Sequence, residues 1–287
     1  MESKWGIDGH VLRTSLYLFE EAPRFFRLRK STAKASSSPV SHKDVFDILA
    51  ERIREIRLNK NGKVWVRIEG YPSSGKMTTT TNIAERLKSF GLRPIVWDGD
   101  ISWTFRDLRE NWREAAIKAR NAGLWHPYWE VLAQYPYPCH WRISHANRII
   151  KALENENGKI VIGDCFQSQR GGVDENGFKT FENVSDDSII LAKQPYLGTL
   201  TYNNWDLFIY LFSNIEVSKQ RAIERDKAKG RAPEKTRALY EEVYEKGYPE
   251  YVQYFDPLNK ADIIIDNTGR GVFDFNSRLV KALPSIE

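Results

Sequence analysis

The chain has 287 residues, of which 43 are lysine or arginine and 38 are aspartate or glutamate, so its formal net charge is +5. Two cysteines are too few for a disulfide scaffold, and no apolar run approaches the roughly 20 residues that a membrane-spanning helix needs. We therefore expect a cytoplasmic protein without a membrane partner. The positive charge favours anionic ligands.

The chain divides near residue 40. Residues 31–41 are small, polar and proline-bearing, which is a linker composition. They follow an extension with a basic aromatic patch at 24–30, so we assign 1–40 to an N-terminal extension and linker and 41–287 to one domain. The patch leaves nucleic-acid contact open, although such short runs are more often solvated faces.

The segment 64–78 combines a buried strand, a glycine-bounded loop and a helix start. Gly70 and Gly75 have the spacing G-x-x-x-x-G-K, which lets backbone amides surround a diphosphate while Lys76 reaches its terminal phosphates. The N-terminus of the following helix adds its positive dipole. We therefore predict a nucleotide-binding loop formed by Gly70, Tyr71, Pro72, Ser73, Ser74, Gly75, Lys76, Met77 and Thr78.

One position departs from the loop pattern. The pattern places Ser or Thr after the lysine so that a hydroxyl can bind Mg²⁺, whereas this chain has Met77. Thr78 follows one residue later and is the candidate metal ligand. A steric strand-to-helix turn whose catalysis has been lost is the alternative.

Strands and helices alternate along the rest of the chain, which predicts a parallel α/β sheet. The predicted strands cover residues 63–69, 93–98, 159–163, 206–212 and 262–266. The predicted helices cover residues 75–90, 104–121, 143–154, 215–229, 234–247 and 273–283. Residues 167–204 are long for a loop and contain turn signals, so we expect an inserted hairpin or a flap there.

Acidic and aromatic residues follow the predicted strand ends, where parallel sheets bind ligands. Asp98 and Asp100 follow the second strand, and either can accept the proton of a hydroxyl that attacks a γ-phosphate. Asp98 is the expected base because it comes first beyond the strand. Asp164 follows the third predicted strand and is a candidate Mg²⁺ ligand. Trp103 and Arg106 are the predicted acceptor-binding residues.

The C-terminal third carries the most specific pattern. A strand at 206–212 leads into a helix with R-x-x-x-R-D at 221–226, and A-D-x-x-x-D-N follows at 261–267. This arrangement resembles the uridine kinase family of P-loop nucleoside kinases over roughly residues 45–270. The resemblance implies a three-layer α/β P-loop kinase fold with a five-stranded parallel sheet and a helical lid, and it implies ATP and Mg²⁺ as cofactors.

The resemblance also implies roles for single residues. The arginines that match Arg221 and Arg225 approach the nucleotide phosphates in the family, where they would neutralise transferred charge. The acceptor side departs from the family, because D-G-D at 98–100 more closely resembles adenylylsulfate kinases.

We therefore expect ATP-dependent phosphoryl transfer to a hydroxyl of a nucleoside or nucleoside-like small molecule. Its expected catalytic residues are Lys76, Asp98, Asp100 and Arg225. A kinase for a hydroxyl in a polynucleotide and a nucleotide-binding regulator without catalysis are the alternatives.

Overall fold

The structure is a computed structural model that describes residues 42–103, 142–166, 171–200, 202–269 and 278–281, with a few positions between 104 and 141. The predictions for the N-terminal extension, for Arg106 and for the helix at 104–121 lie mostly or wholly outside these residues. Within the described residues, no helix is both long and apolar enough to cross a membrane.

The elements follow one another in three groups. The first group is α1 (His42–Asn59), β1 (Val64–Gly70), α2 (Lys76–Ser89), β2 (Pro94–Asp98) and a 3₁₀ turn (Gly99–Ser102). The second group is α3 (Ile143–Asn155), β3 (Gly158–Ile162), β4 (Lys179–Val184), β5 (Ile189–Lys193) and a 3₁₀ turn (Leu197–Thr199). The third group is β6 (Leu207–Phe212), α4 (Ile215–Lys227), α5 (Pro233–Leu239), a π-helical turn (Tyr240–Tyr244), α6 (Glu245–Phe255), α7 (Pro257–Lys260), β7 (Ile263–Asp266) and β8 (Arg278–Lys281).

The main sheet has the strand order β2-β5-β1-β6-β7-β8. The first five of these strands are parallel, and β8 pairs antiparallel with β7 at the edge. This confirms the five-stranded parallel sheet and adds an antiparallel edge strand. β1 lies in the middle and is buried at all of its positions, so the loop that follows it emerges from the centre of the sheet.

Helices cover both faces of the sheet, which gives the predicted three layers. On one face, α1 and α2 bury Leu49, Ile53, Ile83 and Leu87 against the central strands. The other face has a separate core, in which the strand tryptophans Trp65 and Trp97 pack with Ile149 and Leu153 of α3 and with tyrosines of α6.

The prediction that the third parallel strand lies at 159–163 is wrong. β3 pairs antiparallel with β4 in a separate two-stranded sheet, and the third parallel strand is β5, inside the stretch expected to be a hairpin or flap. The stretch 167–204 supplies one strand of a hairpin, β4, whose partner β3 precedes the stretch. In the turn before β4, the Asp174 carboxylate accepts hydrogen bonds from the amides of Asn176 and Phe178. The apolar run of β3 is alternately exposed and buried, as in a strand with one covered face.

Two helix predictions in the C-terminal part also need correction. The helix expected at 273–283 is not present at 278–281, where the backbone forms β8. The helix expected at 234–247 consists of α5 and the π-helical turn, and α6 then continues to Phe255 with Pro249 inside it.

A buried polar network lies directly beneath the loop. Glu69 is fully buried and accepts from the Arg67 guanidinium, with Nε 2.8 Å from Oε2. The guanidinium also lies 3.9 Å from the ring centroid of Phe208. The Tyr251 hydroxyl donates to the other oxygen of Glu69 and accepts from the Gly198 amide at 2.9 Å. This network fixes α6 to the strand that carries the loop.

Tyr251→Phe tests this coupling. We expect the free energy of unfolding to fall by about 1 to 3 kcal/mol, because Glu69 and the Gly198 amide each lose a buried partner. Urea unfolding measures the change. Tyr254→Phe is the matched control, since Tyr254 is 54% exposed. Equal effects of the two substitutions would contradict the role of the network.

Candidate functional site

The first residue of the glycine-bounded loop, Gly70, lies against the neighbouring strand β6. Gly70 has φ 154°, and a Cβ atom there would lie 2.3 Å from the carbonyl oxygen of Leu211 in β6. No larger residue fits without moving that strand. The loop then turns through Ser73, whose φ is 61°, before α2 begins at Lys76.

Lys76 folds back on its own loop. Its ammonium donates to the carbonyl oxygens of Gly70 and Tyr71, each at 2.8 Å. The first-turn amides of α2 have no intrahelical acceptors, so the helix presents amides and a positive dipole next to this ammonium. Anion binding by these groups stays a prediction from the sequence.

Several neighbouring groups shift the pKa of Lys76 in opposite directions. Desolvation by burial lowers the pKa of its ammonium to about 7, and the positive charge of Lys193 acts in the same direction. Asp100 is the strongest of the acidic groups that oppose this shift, ahead of Glu69 and Asp98. Bound phosphates would raise the pKa of Lys76, because they favour its charged form.

Binding of ATP, the cofactor that the sequence resemblance implies, should therefore take up a proton above pH 7. The free Lys76 is largely neutral there and the bound one charged, so the affinity falls as the pH rises from 7 to 9. Calorimetry in two buffers of different ionisation enthalpy measures the uptake, expected to approach one proton per ATP at pH 8. Lys76→Arg, which stays charged, is the control and should show less uptake. Equal uptake by both proteins would contradict the assignment.

Arg225 and Tyr240 both contact the loop. The Arg225 guanidinium and the Tyr240 hydroxyl donate to Ser73 Oγ at 3.0 and 2.8 Å. Tyr240 begins the π-helical turn, and the ring of Tyr71 lies edge-on to it with centroids 6.0 Å apart. The C-terminal helices therefore reach the loop through α4 and through the π-helical turn.

Asp226 holds Arg225 in this position. Its carboxylate accepts from Arg225 Nε and from the Arg231 guanidinium, both at 2.9 Å, and from the Thr236 hydroxyl at 3.1 Å. Although burial opposes the shift, these contacts keep the pKa of Asp226 below its ordinary value. The ion pair with Arg231 and the hydrogen bond from Thr236 connect α4 to the segment that follows it and to α5, which form the expected lid region.

Arg221 contacts the segment that follows β7. Its guanidinium donates to the carbonyl oxygens of Asn267 and Gly269, at 2.8 and 3.0 Å, beyond the end of β7. Asn267 is buried, and its side-chain amide donates to the carbonyl oxygen of Ser74 in the loop at 2.6 Å. Arg221 thus supports the loop indirectly, by ordering the residue that holds it.

Asp98 ends β2 in a buried ion pair. Its carboxylate is 2.5 Å from the Lys193 ammonium at the end of β5, and 4% and 7% of the two side chains are exposed. The other oxygen accepts from the amide of Asp100 at 3.1 Å. Burial and the neighbouring Asp100 charge raise the pKa of Asp98, against the effect of Lys193.

Because Gly99 has no side chain, the residue that follows β5 can pack directly against it. A Cβ atom there would lie 2.7 Å from Cβ of Gln194. Packing therefore requires the glycine of the D-G-D sequence, in addition to any role of its two acids.

Asp100 is more accessible than Asp98. One of its oxygens accepts from the indole Nε1 of Trp103 at 3.0 Å. Trp103 is 8% exposed and lies edge-on to Tyr196, so its indole orients Asp100 from within the core. Asp100 remains partly exposed.

The residues predicted to bind a metal do not gather around the loop. Asp164 follows β3 of the separate two-stranded sheet, is 60% exposed and pairs with Arg142 at 2.8 Å. Thr78 is exposed on the first turn of α2, and Met77 offers no oxygen. Among the described residues, no three histidine, cysteine or acidic side chains form a metal-binding group. Asp164 is thus engaged by a cation and position 77 supplies no oxygen, so a bound Mg²⁺ would rely mainly on phosphate oxygens and water.

Four residues at the site were absent from the predicted set: Tyr240, Lys193, Gln194 and Asn267. The pattern at 261–267 includes Asn267, and the helix predicted at 234–247 includes Tyr240, but neither assigns a contact to its residue. Lys193 and Gln194 had no signal, because β5 was not recognised as a sheet strand.

The fold and the loop together define a P-loop kinase fold of three α/β layers. A solved structure described as a possible uridine kinase from Bacillus stearothermophilus has a TM-score of 0.50 and 16% identity, and covers 77% of this chain and 97% of that one. The structure of the YGR205w protein has a TM-score of 0.52 and 14% identity, with coverages of 83% and 98%. At these identities the likeness concerns the fold, and it confirms the fold that the sequence predicts.

Sequence comparison is sparser. No protein-family model matches the chain. A dephospho-CoA kinase of Aquifex aeolicus (strain VF5) is 28% identical over 92 residues, which are 32% of this chain and 41% of that protein. The chain therefore matches less than half the length of this curated relative.

Proposed function

We propose that this protein is an ATP-dependent kinase that phosphorylates a hydroxyl of a small molecule, with a nucleoside or nucleoside-like acceptor as the first class to test. The observation that carries the proposal is the convergence on one loop of an ammonium, a carboxylate and a guanidinium. Lys76 begins α2, and Asp100 is the acidic group that most strongly raises its pKa. Arg225 donates a hydrogen bond to Ser73 of the loop.

The chemistry follows from these positions. The loop amides and Lys76 would hold the β- and γ-phosphates, which exposes the γ-phosphorus to an acceptor near the ends of β2 and β5. Asp100 would accept the proton of the attacking hydroxyl as the new P–O bond forms. Arg225, held by Asp226, would offset the negative charge of the transferred group.

The structure supports Asp100 over Asp98 as the base, which reverses the expectation from the sequence. Both oxygens of Asp98 are engaged, one by Lys193 and one by the Asp100 amide. A base must meet the substrate hydroxyl, and the partly exposed Asp100 has an oxygen beyond the one that accepts from Trp103.

Asp100→Asn and Asp98→Asn separate these roles. We expect Asp100→Asn to lower kcat by roughly 10²- to 10⁴-fold with little change in ATP affinity, because the lost proton acceptor matters only in the transition state. Asp98→Asn should act mainly on stability and on ATP affinity, since it leaves Lys193 buried without its partner. A larger loss of kcat from Asp98→Asn would restore Asp98 as the base.

An ATP-consumption screen against nucleosides, sugars and oligonucleotides tests the function itself, with Lys76→Met as the inactive control. We expect turnover by the native chain and loss of at least 10²-fold in Lys76→Met, because phosphate charge is then left unneutralised. Circular dichroism checks that the variant folds.

The screen also separates the alternatives. Activity on oligonucleotides alone, with salt-dependent binding, would favour the polynucleotide kinase. ATP binding without turnover on any acceptor would favour the nucleotide-binding regulator.

A further inference from the structure

Two positions that usually supply protein ligands to Mg²⁺ beside a phosphate loop carry other chemistry in this chain. Met77 replaces the hydroxyl after the loop lysine. The strand beside β1 ends in Lys193 and Gln194, where an acidic residue would commonly hold the metal or its waters. The loop thus keeps its phosphate-binding features but lacks both expected oxygen ligands.

Lys193 lies between the loop strand and the acidic strand end. Its Cα partners in the sheet are Ile68 of β1 and Asp98 of β2. Its ammonium is fixed by the Asp98 carboxylate in a site that is almost closed to solvent. Its charge is also felt by Lys76, so two ammonium groups lie at the same edge of the sheet.

Gln194 adds an unsatisfied polar group at the same edge. Its side chain is 1% exposed and packs on Gly99, and neither of its amide atoms has a hydrogen-bond partner in the described part of the chain. A buried amide without partners costs free energy unless a water or a ligand satisfies it. A neutral amide can donate to a phosphate oxygen, but it brings no negative charge to hold a divalent cation.

We propose that Lys193 provides, next to Lys76, a second fixed positive charge for the nucleotide phosphates, so that ATP binds with little dependence on Mg²⁺. The inference rests on the proposed function, because it requires ATP in the loop. A buried ammonium is a compact point charge that stabilises phosphate without a metal. Asp98 holds the ammonium in place.

Calorimetric titration of the full chain with ATP tests the inference, once in excess MgCl₂ and once in EDTA at matched ionic strength. We expect the two Kd values to agree within threefold. Stronger binding in Mg²⁺ by more than threefold would overturn the inference. Absence of ATP binding under both conditions would instead refute the proposed function, so the two failures are distinguishable.

Lys193→Met identifies the charge responsible. We expect ATP binding in EDTA to weaken at least tenfold, and Mg²⁺ to recover part of that loss. Lys179→Met is the matched control, because Lys179 of β4 is a partly buried lysine that also feels the Asp98 charge but lies outside the main sheet. Its ATP affinity should stay within twofold of the native value. Equal losses in the two variants would overturn the role of Lys193.

The double variant Asp98→Asn/Lys193→Met guards against a folding artefact, because removing Lys193 alone leaves a buried carboxylate unpaired. The double variant removes both charges and leaves no unpaired carboxylate, so its loss in EDTA should be smaller than that of Lys193→Met but still more than threefold. Native-like ATP affinity of the folded double variant in EDTA would overturn the inference.

Discussion

The site depends on how closely the phosphate loop lies against the two strands beside it. Gly70 leaves β1 in contact with the Leu211 carbonyl of β6, at a distance that only glycine permits. Beyond β7, Asn267 donates to the Ser74 carbonyl and fixes the far side of the loop. These contacts determine where α2 begins, and therefore where Lys76 and the first-turn amides lie.

Buried charge is the second constraint on the carboxyl ends of the parallel strands, where the site lies. Isolated charges in the interior are costly, so Arg67 pairs with Glu69 beneath the loop and Lys193 pairs with Asp98 beside it. Lys76 instead donates to two neutral carbonyl oxygens, which do not compensate its desolvation. Its lowered pKa is the result, and a bound phosphate would raise that pKa again by favouring the charged ammonium.

The lid region is bound to the loop by the same kinds of contact. Ser73 accepts from Arg225 and Tyr240, so the position of α4 and of the π-helical turn depends on the conformation of the loop. π-helical turns occur frequently at functional sites, and here the turn begins with the tyrosine that contacts the loop. A phosphate that displaces these donors from Ser73 would thereby act directly on the lid.

Local signals were sufficient for much of the fold. The loop, β1, α2, β2, β6, α4 and β7 all follow from apolar runs, glycines and helix-face periodicity within short windows. β5 could not be recognised, because its five residues end in lysine and lie within a stretch rich in turn signals. β3 was misplaced because a strand in a hairpin and a strand in a parallel sheet can share the same composition, and only the long-range pairing distinguishes them.

The same missing pairing explains the reversed order of the two aspartates. In the sequence, Asp98 and Asp100 differ only by their distance from the strand end. In the fold, β5 brings Lys193 to Asp98 and Gln194 to Gly99, so the first acid becomes a buried counterion while the second stays partly exposed. A single lysine at the end of an unrecognised strand therefore underlies both the proposal that Asp100 is the base and the proposal that ATP binding depends little on a metal.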